Sequence, residues 1–292
     1  MSLAAGAALS DLTRAREESG EVVAVEDLSG GLIELTARLP HLAAEAHAGE
    51  FAQLRCSPGP APLLRRPMSV AWVDGDTCSF VFERVGVGTR LLAAMRAGDR
   101  LDVLGPLGVG FTTSPTLRRV LCVAGGLGCA PFPLLARQLR QQGTAEVIVC
   151  HGAATAERLY PDERFVRGDS TGVHVAVVTD DGSRGHRGLV VDIVEPAIRD
   201  GVDAVFACGP NAMLAATAAM LADVDTGARV PVMQVSLEAP MGCGFGTCLG
   251  CALPVRSEET ARWALCCREG PVMDAAAVEW EALMQLPPAD VA

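Results

Sequence analysis

The sequence is poor in basic residues. It has 24 Lys and Arg against 35 Asp and Glu, which gives a formal net charge of -11 over 292 residues. No stretch of the chain concentrates positive charge. Because a surface that binds nucleic acid or an anionic membrane needs such a concentration, the charge pattern excludes both kinds of partner.

Long uninterrupted hydrophobic runs are also missing, although 50% of the residues are apolar and the mean hydropathy is +0.29. The two uncharged runs, residues 120–136 and 204–222, contain glycines and prolines and are typical of buried strands that lead into helices. The N-terminal segment lacks the basic and apolar parts of a signal peptide. We therefore expect a protein without membrane spans that stays in the cytoplasm.

Disulfides are not expected in the cytoplasm, where thiols are kept reduced, yet the chain has 11 cysteines. Cys243, Cys248 and Cys251 have the spacing C-x4-C-x2-C, and the pair Cys266 and Cys267 follows. This is the plant-type spacing for a 2Fe-2S cluster, whose fourth thiolate comes from farther along the chain. Zinc sites instead use two close cysteine pairs or cysteine with histidine, and no histidine is near in the sequence. We predict a 2Fe-2S cluster, with either cysteine of the later pair as fourth ligand.

Glycines surround the clustered cysteines in the stretch MGCGFGTCLGC. A loop that wraps closely around a cluster needs residues at positive φ and N–H groups aimed at sulfur, and glycine permits both. Five of the other cysteines stand in or near apolar runs and are expected to be small packing residues: Cys56, Cys78, Cys122, Cys129 and Cys150.

Two patterns divide the chain. Residues 17–112 contain short β-type runs separated by Gly, Asp and Pro, which indicate a small antiparallel barrel or sandwich. Strands then alternate with helices, as in a parallel sheet that is covered on its faces. We predict an α+β multidomain chain with a β-barrel at 17–112, a parallel α/β domain at 117–230, a small cluster domain at 231–274 and a C-terminal tail at 275–292.

The stretch RRPMSV indicates flavin binding at the start of a β-run. Arg66 can pair with a pyrophosphate, Pro67 stiffens the turn, and Ser69 can hydrogen-bond a ring system. Farther along, Gly88 and Thr89 stand at the start of a predicted helix, where free N–H groups suit the phosphates of a dinucleotide. The two signals together predict FAD.

The stretches VAGGLGCAP and ACGPNAML each follow a buried strand and open a helix, which is the context of a nucleotide-binding turn. Pro131 stands in place of the third glycine of the dinucleotide fingerprint and favours a G-x-G-x-x-P relative. Cys208 can face a nicotinamide or simply pack, and both readings stay open. Ala153 and Ala154 offer nothing to a 2′-phosphate and favour NAD, although Arg158 leaves NADP open.

Read in order, the motifs RRPMS, GVGT, LGPLGVGF, AGGLGCAP, TDDGSRGHRG, CGPNAML, SLEAPMGCGFGTCLGC and CREGPV resemble the electron-transfer subunit of dihydroorotate dehydrogenase B. That family is an iron–sulfur flavoprotein branch of the ferredoxin reductase superfamily. The resemblance covers roughly residues 17–274. It implies an FAD barrel, an NAD-binding domain and a C-terminal 2Fe-2S domain, in a heterotetramer with an FMN-containing catalytic subunit that oxidises dihydroorotate to orotate.

Position by position, the resemblance assigns the cluster to Cys243, Cys248, Cys251 and Cys267, the last being the cysteine directly before REGPV. The residues expected at FAD are Arg66, Pro67, Met68, Ser69, Phe82, Gly88 and Thr89. Those expected at NAD are Gly126, Gly128, Asp181, Gly209 and Pro210, with Cys208 as the candidate catalytic residue at the nicotinamide. As an alternative, the loop around Asp181 is simply polar. The chain departs from the family pattern at Glu83, Val109 and Cys266.

The expected function is electron transfer from the FMN of the partner through the cluster and FAD to NAD, because a flavin reconciles one-electron carriers with hydride transfer. One alternative is a subunit that passes electrons between NAD(P)H and a ferredoxin-type partner. Another, from a different class, is a nucleotide-sensing module held together by zinc, which would be colourless.

Overall fold

The computed structural model describes residues 9–286 except 29, 169–170, 225–230 and 258–259. The end of the predicted α/β domain at 225–230 and the end of the predicted tail at 287–292 lie outside the described residues.

The first part of the chain forms a closed antiparallel barrel. Its elements are β1 (Arg16–Asp27), β2 (Leu32–Arg38), α1 (Pro40–Glu45), β3 (Phe51–Leu54), β4 (Arg66–Asp74), β5 (Thr77–Glu83), α2 (Val87–Ala93) and β6 (Arg100–Leu107). The strands surround the interior in the order β1-β2-β5-β4-β3-β6. Leu35, Phe80 and Val70 lie opposite one another on three adjacent strands. All three are fully buried, so they form one row of the barrel core.

The second part is a parallel sheet covered by helices. Its elements are β7 (Arg119–Gly125), α3 (Phe132–Gln141), β8 (Glu146–Ala153), β9 (Val173–Thr179), β10 (His186–Arg187), α4 (Val191–Arg199), β11 (Ala204–Cys208), α5 (Asn211–Asp223) and β12 (Val232–Ser236). These strands are parallel in the order β10-β9-β8-β7-β11-β12. The central strands β7 and β11 are buried almost throughout, as expected for strands with both faces covered.

The C-terminal part carries the clustered cysteines on a hairpin. Its elements are β13 (Ala252–Ser257), β14 (Thr260–Leu265), α6 (Cys266–Glu269), β15 (Val272–Asp274) and α7 (Trp280–Met284). β13 and β14 pair antiparallel, and β15 adds antiparallel to β12 as the seventh strand of the large sheet. The segment that follows the hairpin is therefore part of the large, mainly parallel sheet.

An aromatic contact joins the barrel to the sheet. Phe111, just after β6, lies against Phe132 and Phe206, with ring centroids 6.0 and 5.4 Å away. Gly49, at φ +89, packs beside this ring: a Cβ there would lie 2.8 Å from Val272 and 2.9 Å from Phe111. The barrel, the sheet and the C-terminal part therefore meet at one apolar point.

A buried ion pair lies between the barrel and the α/β part of the chain. Glu34 of β2 is 1% exposed and accepts from Arg164 at 3.2 Å and from Arg167 at 2.6 Å. Both arginines stand in the connection between β8 and β9. Arg167 also lies 5.8 Å from the centroid of Trp72, whose ring Arg137 covers at 4.4 Å. These contacts hold the barrel wall against the sheet.

The architecture confirms the predicted α+β fold of an antiparallel barrel, a parallel sheet with helices and a C-terminal cysteine segment. α1, β3, β10, α6 and β15 were not predicted; β3 has four residues, too few for a clear alternation. The domain limits stay predictions. β12 and β15, which the prediction assigned to the cluster domain, are hydrogen-bonded in the large sheet. Within the described ranges, no helix is long and apolar enough to cross a membrane.

We expect Glu34→Gln to lower the free energy of unfolding by about 2 kcal/mol, because it removes the charge that two arginines share at a buried site. Urea denaturation measures this. The control is Glu195→Gln, which breaks the exposed Glu195–Arg199 pair of α4 and should change stability by no more than about 0.5 kcal/mol. Equal effects of the two variants would show that the interdomain pair has no special weight.

Candidate redox site

A β-hairpin brings two distant cysteines together. Cys251 directly precedes β13, and Cys267 lies in α6 just after β14. Ala252 and Leu265 are paired at the end of the hairpin, and the N–H of Cys266 donates to the carbonyl oxygen of Cys251 over 3.0 Å. The sulfur atoms of Cys251 and Cys267 consequently lie 3.2 Å apart.

Cys266 faces the opposite way. Its thiol, fully buried in the apolar core, donates to the carbonyl oxygen of Leu237 over 3.5 Å. Burial raises the pKa of Cys266 far above its ordinary value. The structure thus separates the two adjacent cysteines and places only Cys267 beside Cys251.

Cys243 and Cys248 form a second pair in the loop before the hairpin. The N–H of Cys248 donates to the sulfur of Cys243 over 3.5 Å, and the thiol of Cys248 bonds the same sulfur. Cys248 is exposed, whereas Cys251 and Cys267 are buried. The four sulfurs therefore form two pairs, one near the surface and one beneath it.

Left-handed backbone conformations allow this loop to turn. Two of its four glycines have them, Gly244 at φ +84 and Gly246 at +92, and Leu249 adopts φ +59. Gly246 also needs its small size, because a Cβ there would lie 2.7 Å from the side chain of Arg268. Its N–H bonds the sulfur of Cys267, so the loop with the first three cysteines touches the fourth directly.

Each pair contains one sulfur that ionises readily. Burial opposes a charge on Cys243, but the N–H groups of Phe245 and Cys248 outweigh it and lower its pKa to about 7. The thiol of Cys267 donates to Cys251 and lowers the pKa of Cys251 to about 6. The same hydrogen bond raises the pKa of Cys267. Since thiolates are the ligands of iron, both pairs are prepared for metal binding.

The sulfur arrangement fits a two-iron cluster. All eleven cysteines are free thiols. In the part of the chain that the structure describes, no group of three or more His, Cys, Asp or Glu surrounds a single metal position. The two irons of a 2Fe-2S cluster are held by four thiolates, and the two thiol pairs, joined by the bond from Gly246 to Cys267, offer four sulfurs. The residues present therefore fit the predicted cluster.

Arg66 begins β4 and lies against the start of α2. A Cβ on Gly88 would lie 2.8 Å from Nε of Arg66 and 3.0 Å from the sulfur of Cys56, so glycine is needed for this close approach. The hydroxyl of Thr89 accepts two N–H groups of the preceding turn, each at 3.1 Å. Thr89 thus shapes the turn, while the Arg66 guanidinium remains the cationic group for a pyrophosphate.

The other candidate flavin residues divide between two faces of the barrel wall. Met68 and Phe82 point into the barrel core and are 9% and 1% exposed. Pro67 and Ser69 alternate with Met68 along β4 and are partly exposed. Phe82 can therefore meet a flavin only through its main chain.

A cavity of about 410 Å³ lies beside the Arg66 site. Cys56, Leu91, Met95 and Arg100 contribute to its lining. Because the sulfur of Cys56 also contacts the Gly88 position, the cavity is a neighbour of the candidate pyrophosphate site.

The predicted nucleotide turns meet at the carboxyl ends of two adjacent strands, β7 and β11. A Cβ on Gly128 would lie 2.1 Å from the carbonyl oxygen of Cys208, so the turns touch through bare backbone. Gly126, at φ +52, has no described atom within 4 Å of a Cβ position and so presents open backbone to a ligand. Gly209, at φ +151, and Pro210 lead into α5 on the other side.

Cys208 ends β11 and is 7% exposed. Burial, assisted by the charge of Glu238, raises the pKa of Cys208 to about 12, so it is a neutral thiol near pH 7. Glu238 follows β12 and its side chain is exposed. Even so, desolvation by the neighbouring protein, together with the charge of Glu83, raises the pKa of Glu238. Glu238 was not among the predicted site residues, although it stands in the SLE lead of the cysteine motif.

The loops at the outer end of the sheet hold each other. Asp181 accepts the N–H and the hydroxyl of Ser183, at 2.9 and 2.6 Å, and Ser183 in turn accepts the N–H of Ala156 at 2.8 Å. Arg158 is engaged with Glu83 of the barrel through contacts of 3.0 and 3.1 Å. A 2′-phosphate would have to compete with that carboxylate, which favours NAD over NADP.

Comparison with known proteins identifies two parts of the chain. Residues 238–279 match the iron–sulfur cluster binding domain of dihydroorotate dehydrogenase B, and residues 122–219 match the oxidoreductase NAD-binding domain. The electron transfer subunit of dihydroorotate dehydrogenase B (NAD(+)) from Geobacillus sp. (strain WCH70) is 37% identical over 269 residues, 90% of this chain and 98% of the relative. The subunit of the same name from Enterococcus faecalis (strain ATCC 700802 / V583) is 34% identical over 270 residues, with the same coverage.

Solved structures give the same fold. An NADH-dependent reduced ferredoxin-NADP oxidoreductase, described for flavin-based electron bifurcation, superposes with a TM-score of 0.78 at 26% identity over 91% of both chains. A ferredoxin NADP+ reductase from Neisseria gonorrhoeae with bound FAD and NADP superposes with a TM-score of 0.62 at 20% identity, over 76% of this chain and 99% of that one. The barrel and sheet described above are therefore the ferredoxin reductase fold.

We expect Cys267→Ser to abolish the visible absorption of the cluster and to reduce bound iron from about two per chain to a small fraction, because one of four ligands is lost. Cys266→Ser is the matched control: its hydroxyl faces the Leu237 carbonyl, and iron content should be unchanged. Iron analysis and absorption spectra of both variants test this. Loss of iron from the control alone would exchange the roles of the two cysteines.

Proposed function

The chain belongs to the family of electron transfer subunits of dihydroorotate dehydrogenase B, and from this premise we propose that it carries electrons from dihydroorotate oxidation to NAD+. It is an NAD-linked oxidoreductase subunit with FAD and a 2Fe-2S cluster as cofactors. In this proposal a catalytic subunit with FMN oxidises dihydroorotate to orotate, and electrons pass from FMN to the cluster, then to FAD and NAD+. The observation that supports it most directly is the contact between two thiol pairs in a segment that lies against β3, the neighbour of the strand with the flavin candidates.

When bound, the cluster supplies one-electron transfer, and the flavin combines single electrons into the hydride that NAD+ accepts. The chain supplies position and charge for this chemistry. Cys243, Cys248, Cys251 and Cys267 are proposed to hold the cluster. Because Cys267 is fully buried, water is excluded from the inner side of that site.

The barrel and the sheet are proposed to hold the two dinucleotides. Arg66 pairs with the FAD pyrophosphate at the start of α2, and the 410 Å³ cavity beside it takes the adenosine. Ser69, on the outer face of β4, bonds the flavin ring. The NAD pyrophosphate lies at the open backbone of Gly126, with the nicotinamide near Cys208.

We propose that the catalytic subunit docks on the exposed side of the cluster loop. Three large apolar side chains of the cysteine segment are open to solvent: Phe245 at 40% and Leu249 at 63% in the loop, and Trp263 at 61% on β14 of the hairpin that follows. Cys248, the exposed ligand candidate, stands next to Leu249. Apolar exposure of this kind is typical of protein interfaces, and in the loop it lies beside the exposed Cys248. The proposed complex is a heterotetramer with two copies of each subunit.

The cytoplasm is the proposed location. Eleven free thiols, several of them buried without a partner thiol, fit a compartment that keeps cysteines reduced.

The decisive experiment is reconstitution with the FMN-containing catalytic subunit. Dihydroorotate-dependent reduction of NAD+ should appear in the complex and be absent from this chain alone. Purified without oxygen, the chain should carry about two iron, two sulfide and one FAD. Zinc in place of iron would favour the nucleotide-sensing alternative. Reduction of a ferredoxin by NAD(P)H, with no dihydroorotate activity, would favour the alternative of a subunit that passes electrons between NAD(P)H and a ferredoxin-type partner.

In the complex with the catalytic subunit, Trp263→Glu should weaken assembly about tenfold or more, because it places a charge in an apolar interface. Iron and FAD content should not change. Leu189→Glu is the matched control, since Leu189 is 59% exposed but lies on the α/β part. Light scattering of the mixed subunits gives both the mass of the complex and its affinity. Unchanged assembly of the Trp263 variant would place the interface elsewhere.

We expect Arg66→Ala to weaken FAD binding by about 10- to 100-fold, since a charge-assisted hydrogen bond to phosphate is lost. Arg65→Ala is the control: Arg65 is engaged with the carbonyl oxygens of Gln53 and Asp102 and with Glu17. Fluorescence titration of the flavin-free protein measures both affinities. An equal loss in the two variants would remove Arg66 from the proposed flavin site.

A further inference from the structure

Gln53 is a polar residue where the barrel wall leaves no room for solvent. It lies in the middle of β3 and is 0% exposed. Neither Nε2 nor Oε1 of its side chain has a hydrogen-bond partner among the described residues. Burying a carboxamide without partners is unfavourable, so natural proteins keep such a group only where something else satisfies it.

Another buried glutamine shows what the usual arrangement looks like. Gln234 of β12 is 1% exposed, yet its Oε1 accepts the N–H of Thr112 at 2.9 Å and its Nε2 donates to the Thr112 carbonyl oxygen at 2.8 Å. The fold can therefore satisfy a buried carboxamide with its own backbone. At Gln53 it does not.

The carboxamide of Gln53 lies directly beneath the cysteine loop. A Cβ on Gly244 would lie 2.6 Å from Nε2 and 2.8 Å from Cγ of Gln53. Gly244 is the neighbour of Cys243, and its φ of +84 turns the loop over the barrel at this point. No side chain separates the amide from the loop backbone.

The same strand face also carries the flavin candidates. Gln53 is paired with Pro67 and Phe51 with Ser69 across β3 and β4. Side chains directly opposite in an antiparallel pair emerge on the same face of a sheet. Gln53 thus stands on the face that holds Pro67 and Ser69, with the cysteine loop above it. It lies between the cysteine loop and β4, the strand of the flavin candidates.

We propose that Gln53 is a positioning residue for the iron–sulfur cluster, whose Nε2–H donates to sulfur at the Cys243 end of the site. This inference rests on the proposed function, because it needs the cluster to be present. Cluster sulfurs accept hydrogen bonds, and such bonds favour the reduced, more negative state. Gln53 therefore raises the reduction potential of the cluster and keeps the cysteine loop against β3.

The test is Gln53→Met in the full chain with its cofactors, because methionine has a similar unbranched shape and no N–H. At a fixed solution potential, the ratio of reduced to oxidised cluster should fall about tenfold, which for one electron corresponds to about 59 mV. A redox titration followed by electron paramagnetic resonance measures this ratio, and the spectrum of the reduced cluster should change as well. Gln53→Leu, which also lacks an N–H donor, should lower the ratio as far.

Gln234→Met is the matched control. It removes two hydrogen bonds made by the protein itself, so it should lower thermal stability and leave the reduction potential unchanged. For Gln53→Met we expect the reverse in protein stripped of iron, namely stability equal to or above that of the unaltered chain. A purely structural role of Gln53 would instead destabilise the iron-free protein.

The outcomes separate the two levels of inference. If the unaltered chain binds no 2Fe-2S cluster, the proposed function fails and takes this inference with it. If the cluster is present but Gln53→Met and Gln53→Leu keep its potential and spectrum, Gln53 alone is wrongly assigned and a buried water satisfies the amide. The expected shift in both variants, without one in Gln234→Met, supports the proposal.

Discussion

The redox site depends on the register of one hairpin. β13 and β14 pair so that Ala252 faces Leu265, which leaves Cys251 and Cys267 with their sulfurs 3.2 Å apart at the hairpin end. A slip by one residue would turn every side chain of a strand to the opposite face. It would bring Cys266, now buried against Leu237, into the place of Cys267. Which cysteine lies beside Cys251 is thus decided by strand pairing as well as by the cysteine spacing.

The parts that could be predicted from the sequence are those with a local signal. The short β-type runs of the barrel, the strand–helix alternation and the C-x4-C-x2-C spacing all lie within short windows. The pairing of Arg158 with Glu83 does not, because 75 positions separate the two residues and only the folded chain brings them together. Gln53 was missed for a similar reason: one polar residue in FAQL looks like an ordinary exposed position until the loop above it is known.

Val109, where the chain departs from its family pattern, shows how a substitution is absorbed. Its N–H donates to the Gly270 carbonyl oxygen at 2.6 Å, and its carbonyl oxygen accepts the N–H of Val272 at 3.3 Å. Both bonds belong to the main chain, so any side chain that fits the space preserves them. This junction ties the end of the barrel to the segment after Cys267, and it needs a backbone conformation rather than a particular residue.

The pairing of β15 with β12 has a consequence for how this chain can move and evolve. Since β15, the strand that follows the cysteines, completes the large sheet, the cysteine segment is not a separate domain on a flexible linker. Carriers that swing between donor and acceptor need a hinge, and here the hydrogen bonds of β15 to β12 tie the segment after the cysteine hairpin to the large sheet. The cysteine segment consequently shares its framework with the strand that ends at Cys208, because β12 is paired with both β15 and β11.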